Sequence, residues 1–137
     1  MYVELDFERG DLDGALEKAG HDNGEPTFWL WEGVTPYLTA AAQRAALQAI
    51  AARSAQGSQL TMEYVEPTGS KAHGIRWVVR ALQEPYVGLI NRTTAVERLN
   101  EEGWRVIEDT GPADWRRRYG LPALTAEGLR ERIALAD

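Results

Sequence analysis

The chain of 137 residues contains no cysteine. Disulfides and every thiolate-based metal site are therefore excluded. It has two histidines, His21 and His73, and neither H-x-x-x-H nor H-E-x-x-H occurs. A histidine-based metal centre is not expected from that spacing, and no metal is assigned. Basic residues are the minority, 15 Lys and Arg against 21 Asp and Glu, giving a net charge of −6. Phosphate backbones need a basic surface, so nucleic acid is not expected as a partner. The one dense basic cluster, Arg116-Arg117-Arg118, has acidic residues nearby and reads as a solvated face. No apolar run approaches the length of a membrane span, and the N-terminus lacks the basic and apolar regions of a signal peptide. No membrane association is expected, and the default location is cytoplasmic.

What is present describes a packed domain. Hydrophobic residues make up 44% and charged residues 26% of the chain, which indicates one domain over 1–137. "YVELDF" (2–7) reads as a short strand. "DLDGALEKAG" (11–20) reads as a helix with Asp11 as its cap and Gly20 as its stop. "TFWLW" (27–31) is almost wholly apolar, as a strand buried on both faces is, with Trp29 and Trp31 read as core residues on opposite faces. Thr39 caps an Ala-rich helix over 40–54, and "SQLTMEYV" (58–65) is a third strand. Pro67-Thr68-Gly69 reads as a loop and 70–83 as a helix.

"YVGLI" (86–90) is a fourth strand, "TTAVERLNEEG" (93–103) a capped helix and "WRVIEDT" (104–110) a fifth strand. "PADWRRRYG" (112–120) is a short helical turn started by Pro112. "TAEGLRERIALA" (125–136) reads as a closing helix weakened by Gly128. Strands alternating with helices of about ten to fifteen residues indicate an α/β fold with a mostly parallel sheet. Ligands bind such sheets at the carboxyl ends of the strands. Asp6, Glu32 and Tyr64 fall near such ends. From the residues alone, Glu32 is equally a turn or helix cap, Asp6 equally an ordinary turn residue, and Tyr37 a half-buried core aromatic. His21 and His73 read as surface residues.

The segments "YVELDFERGDLDGALEKAGHD", "PTFWLWEGVTPYLT" and "GSQLTMEYV", with "LNEEGWRVIED" further on, resemble the bacterial branch of the leucine carboxyl methyltransferase family. Their order and spacing match too. The family consists of class I enzymes that use S-adenosylmethionine as methyl donor. The resemblance covers only the C-terminal half of a family enzyme. It implies a partial Rossmann-like sheet of about five strands, with 104–109 inserted antiparallel between 58–65 and 86–90. It also implies roles: Asp6 and Phe7 at the adenine, Glu32 beside the cofactor's amino-acid portion, and Tyr37 facing the substrate carboxylate as the catalytic residue.

The family's Gly-rich loop has no counterpart, because no G-x-G occurs in the chain. Three functional expectations follow. The chain is an oxygen- or carboxyl-methyltransferase with an incomplete cofactor site, a non-catalytic dimerising or ligand-binding module, or one half of a split enzyme. The partners expected are a second copy in a homodimer or a complementing N-terminal half, with a small-molecule or peptide carboxylate as substrate. Helices on one side of the sheet would leave an apolar patch on the other.

Overall fold

The computed structural model describes residues 2–68, 86–122 and 128–137. The described elements are, in chain order, α1 (Leu12–Lys18), β1 (Phe28–Trp31), a 3-10 turn (Thr35–Tyr37), α2 (Ala40–Ala52), β2 (Gln59–Thr68), α3 (Arg92–Glu101), β3 (Val106–Thr110), α4 (Pro112–Tyr119) and β4 (Gly128–Ala136). The helix expected at 70–83 lies outside the described residues, as does His73.

The caps follow the sequence closely. The carboxylate of Asp11 accepts from the Gly14 amide at 3.0 Å, Thr39 Oγ1 accepts from Ala42 at 3.2 Å, and Asn91 accepts from Thr94 at 2.8 Å. Each satisfies an amide that the first helical turn leaves without an intrahelical partner. At the start of α4, Asp114 reaches back to the Gly111 amide at 2.9 Å.

The four strands form one mixed sheet in the order β1-β2-β4-β3. β1 and β2 are parallel, and β4 is antiparallel to both of its neighbours. The last strand is thus the antiparallel one, as expected for this fold class. Its identity differs: 128–136 is inserted, between 59–68 and 106–110, and 106–110 is the edge strand. The closing helix read over 125–136 is therefore a strand where the structure describes it. Ala, Leu, Glu and Arg favour a helix locally. Here the gap between β2 and β3 wins, because it offers ladder partners on both sides and a site for the small Ala134 and Ala136, both fully buried.

Two other expected strands do not join the sheet. Residues 2–6 are irregular and end in a turn where the Asp6 carbonyl accepts from Gly10 at 2.6 Å. Residues 86–90 lie outside the ladder. The amide of Gly88 bonds Pro36 O at 2.9 Å, and that of Ile90 bonds Val65 O at 3.2 Å. β4 takes one edge of β2 over Leu60–Thr68, while β1 takes the other only over Gln59–Met62, so 86–90 meets β2 beyond β1 through the single Ile90 bond.

One core cluster lies between the sheet and the helices, with Leu47, Ile50, Leu60, Met62, Tyr64, Leu99 and Trp104 among its members. The tryptophans of β1, expected on opposite faces, share this face, as residues two apart in a strand must. Trp31 is buried, and Trp29 donates its indole N–H to Ser54 Oγ at the end of α2, at 2.8 Å. The opposite face is largely bare: Phe28 is 61% and Leu30 64% exposed. The strand is not buried on both faces, although its composition is that of one that is. His21, expected at the surface, is half-buried, 4.9 Å from the Trp29 ring and 3.1 Å from Thr27 Oγ1. No helix among the described residues is long and apolar enough to cross a membrane.

The two faces of the sheet should respond differently to truncation. Leu60→Ala, on the core face, should lower stability by about 2–5 kcal/mol in urea unfolding. Phe28→Ala, on the bare face, should stay within about 0.5 kcal/mol of the parent. Equal losses would mean that the bare face is covered.

Candidate functional site

At the carboxyl end of β1 the chain must leave the sheet and start α2 within eight residues. Gly33 takes a left-handed conformation, φ +70°, and its amide donates to Glu63 on the neighbouring strand at 2.7 Å. That φ suits glycine and strains other residues. Thr35-Pro36-Tyr37 then makes a single 3-10 turn, and Thr39 caps α2.

A single buried amide fixes this turn. Gln43, 2% exposed on the inner side of α2, donates from Nε2 to Thr35 O at 2.8 Å, Leu38 O at 3.2 Å and Gly88 O at 3.0 Å. Its Oε1 accepts from Arg98 of α3. Three carbonyls demand the amino end, so the orientation of the carboxamide follows from its surroundings. Gly88 is needed for the approach, since a Cβ there would collide with the carbonyls of Leu38 and Thr35 and with Gln43 Nε2. A second tie comes from Glu8, whose carboxylate accepts from the Thr39 amide at 2.7 Å and from its hydroxyl at 2.9 Å. An anion at a helix N-terminus is also favoured by the helix dipole.

The four residues singled out in the sequence are placed as follows. Phe7 and Glu32 line a common groove of about 190 Å³ along the free edge of β1, with Leu12, Trp29, Val34 and Ile50 among its walls. Asp6 is exposed and caps its own turn, Oδ1 accepting from the Glu8 amide at 2.9 Å. That is the ordinary turn role, and it leaves the second carboxylate oxygen uncommitted. Tyr37 is not on the groove wall. Its ring meets Tyr86 edge-on, with centroids 5.2 Å apart, and 41% of the residue is exposed. The structure thus brings Phe7 and Glu32 together and sets Asp6 and Tyr37 on the flanking turns.

Gln43, Glu8 and Gly88 were not expected to matter. The signal for Gln43 was available: it is the polar residue on the stripe 39, 42, 43, 46, 47, 50, whose other helical members are apolar. No such signal exists for Glu8, whose partner is 31 residues away.

A second polar cluster spans β2, β4 and β3. The hydroxyl of Tyr64 donates to Asp109 at 2.7 Å, and Arg132 Nε bonds Asp109 at 2.8 Å and Tyr64 Oη at 3.0 Å. Burial, reinforced by the Asp109 carboxylate, raises the Tyr64 pKa well above the usual tyrosine range. Tyr64 therefore stays neutral and acts as a donor that locks the inserted strand. Among the described residues, no group of three or more His, Asp or Glu side chains is placed to hold a metal ion.

The fold is shared with a methyltransferase of known structure. An arsenic(III) S-adenosylmethionine methyltransferase from Chlamydomonas reinhardtii superposes with a TM-score of 0.52 at 16% identity, over 93% of this chain and 41% of that one. The family profile described as leucine carboxyl methyltransferase matches residues 1–51, the stretch that holds Asp6, Phe7, Glu32 and Tyr37. A protein from Mycolicibacterium gilvum, named as an S-adenosyl-L-methionine-dependent methyltransferase, is 36% identical over 132 residues, covering 83% of this chain. One of the same name from Mycobacterium tuberculosis is 33% identical over 132 residues, covering 87%. The chain is thus similar to the leucine carboxyl methyltransferase family over residues 1–51, and over most of its length to relatives named as S-adenosyl-L-methionine-dependent methyltransferases. It spans about two-fifths of the length of these relatives, 40% and 41% respectively.

The Gln43 junction carries its own test. Gln43→Leu strands the buried carbonyls of Leu38 and Gly88, each costing about 1–3 kcal/mol when unpaired, leaves Thr35 O with only the Leu38 amide, and removes the acceptor of Arg98. Urea unfolding should show a loss of more than about 2 kcal/mol, although leucine fills a similar volume. Gly88→Ala should be comparably costly. Near-neutral results for both would show that water replaces the amide.

Proposed function

We propose that this chain supplies part of the S-adenosylmethionine site, and the acceptor-facing turn, of a methyltransferase acting on an oxygen or carboxylate of a small molecule or peptide. The observation that carries this reading is the shared groove of Phe7 and Glu32 at the carboxyl end of β1, where α/β sheets hold their ligands. Phe7 would line the adenine pocket. The free oxygen of Asp6 would accept from the adenine amino group. Glu32 has no partner among the described side chains and would stand by the ammonium of the amino-acid portion. Tyr37, on the turn pinned by Gln43, would face the acceptor carboxylate.

The bound sulfonium, already activated, would supply the methyl group. An ionised carboxylate needs no general base, so the chain's own task is positioning. The precision of the turn at 33–39 suits that task better than a catalytic triad would. The Gly-rich part of the site belongs to the remainder of the fold, whether in the same polypeptide or in a partner. A second reading, a dimerising or ligand-binding module without catalysis, draws on the lack of any G-x-G in the chain. The two separate on whether methyl transfer appears once the rest of the fold is supplied.

Titration calorimetry tests the cofactor site. The isolated chain should bind S-adenosylmethionine at least a hundredfold more weakly than when co-expressed with the portion of the M. gilvum relative outside the matched stretch. Three missing polar contacts at about 1 kcal/mol each account for that factor. In the completed protein, Asp6→Ala and Glu32→Ala should each cost about 1–3 kcal/mol of binding. Micromolar affinity of the chain alone would reject the incomplete site, and unchanged affinity in both variants would reject the assigned roles.

A further inference from the structure

Two tyrosines from distant parts of the chain are fixed against each other at the surface. Gln43 holds Thr35 O and Leu38 O on either side of Tyr37, and Gly88 O just beyond Tyr86. The Gly88 amide adds a bond to Pro36 O at 2.9 Å. The two segments are thus laced together through their main chains, at a spacing that admits no Cβ at Gly88. As a result the Tyr37 and Tyr86 rings meet with their planes at 83°. The pair is not closed over as a core pair would be. Tyr86 is half-buried, Tyr37 remains exposed, and the neighbouring Val87 is 55% exposed.

A buried hydrogen-bond network therefore orients an aromatic surface that is open to solvent. A pair that only filled space would gain most by burial. Rigid aromatic side chains held ready at a surface favour a ligand instead, because little conformational entropy is lost when it arrives. The geometry also selects the ligand. An edge-to-face pair presents an electron-rich face beside an electron-poor edge. A cation would be drawn to the face and repelled by the edge. A flat ring matches both, and an aliphatic group gains only from area. Tyr37 sits on the turn that leaves β1, the turn assigned to the methyl acceptor. We propose that Tyr37, Tyr86 and Val87 form a subsite for an acceptor that carries an aromatic ring beside its carboxylate, with Tyr86 selecting for the ring. The acceptor's identity as ligand rests on the methyltransferase reading; the ring contact does not need the cofactor.

The test is a titration of the nitrogen-15-labelled chain with phenylacetate, cyclohexylacetate, acetate and tetramethylammonium, followed by amide shifts in NMR spectra. Phenylacetate should move the signals of Tyr37, Val87 and Gly88 and bind about threefold or more tightly than cyclohexylacetate. Acetate and tetramethylammonium should bind more weakly than either. Tyr86→Phe should keep the preference for the aromatic ring and Tyr86→Leu should abolish it, both with unfolding curves like the parent's. The comparison of the two ring acids is made on the parent chain and stands whether or not Tyr86→Leu folds. No shifts at these amides at tens of millimolar, equal affinity for the two ring acids, tighter binding of tetramethylammonium, or an unchanged preference in folded Tyr86→Leu would overturn the proposal. Ring-selective binding without methyl transfer, in the chain completed with the remaining portion of the M. gilvum relative, would support the subsite and reject the methyltransferase reading. Methyl transfer that ignores the ring would reject the subsite and leave that reading standing.

Discussion

The carboxamide of Gln43 is the constraint on which the loop side of this structure depends. Four segments meet at it: the 3-10 turn at Thr35, the Leu38 carbonyl ahead of α2, the stretch at Gly88 and α3 through Arg98. Three of its partners are main-chain carbonyls, and two of them, Leu38 O and Gly88 O, lie outside any ladder or helix. A buried carbonyl without a donor costs about as much as a lost hydrogen bond. The turn can therefore be both irregular and well defined, which a turn held by apolar contacts alone would not be. Because Tyr37 rides on that turn and Glu32 begins it, the placement of the candidate site is set from beneath by one side chain.

The sheet is secured by a different device. Tyr64, Asp109 and Arg132 come from three adjacent strands and satisfy one another in a nearly dry environment. Buried ion pairs often add little net stability, since desolvation offsets attraction. Their value here is specificity. A one-residue slip of β4 would turn Arg132 to the bare face and leave the Asp109 carboxylate with only the Tyr64 hydroxyl and the 3.4 Å contact to Arg92. The network thus selects the register that also buries Ala134 and Ala136.

Asymmetry between the two sheet faces connects structure to function. One face is covered by helices and holds the whole core. The other presents aliphatic side chains of β1 and β4 and a band of carboxylates. The groove holding Phe7 and Glu32 runs along the free edge of β1, where these two surfaces meet. Relatives more than twice this length have ample chain to complete that edge.

Much of the local structure was legible because it rests on local chemistry. Asp11 and Thr39 cap helices whose first turns follow directly, and Pro112 starts α4 where its missing amide is harmless. "TFWLW" was readable as a strand because a β-rich apolar run has few alternatives. Its bare outer face was not readable, since composition cannot say which neighbours are present. "LRERIALA" carries the propensity of a helix, and only the vacancy between β2 and β3 made it a strand. Residues 2–6 and 86–90 have strand-like composition, yet neither joins the ladder, and composition alone cannot say which edge accepts a partner. For the site, only the resemblance to the methyltransferase family singled out Asp6, Phe7, Glu32 and Tyr37; residue types alone left Asp6 and Glu32 as turn or cap residues and Tyr37 as a core aromatic. The bonds from Gln43 to Gly88 and from Glu8 to Thr39 join residues 45 and 31 positions apart. Sequence alone determined which groups could make such bonds. Only the tertiary structure decided which of them met, because the meeting depends on how the whole chain packs.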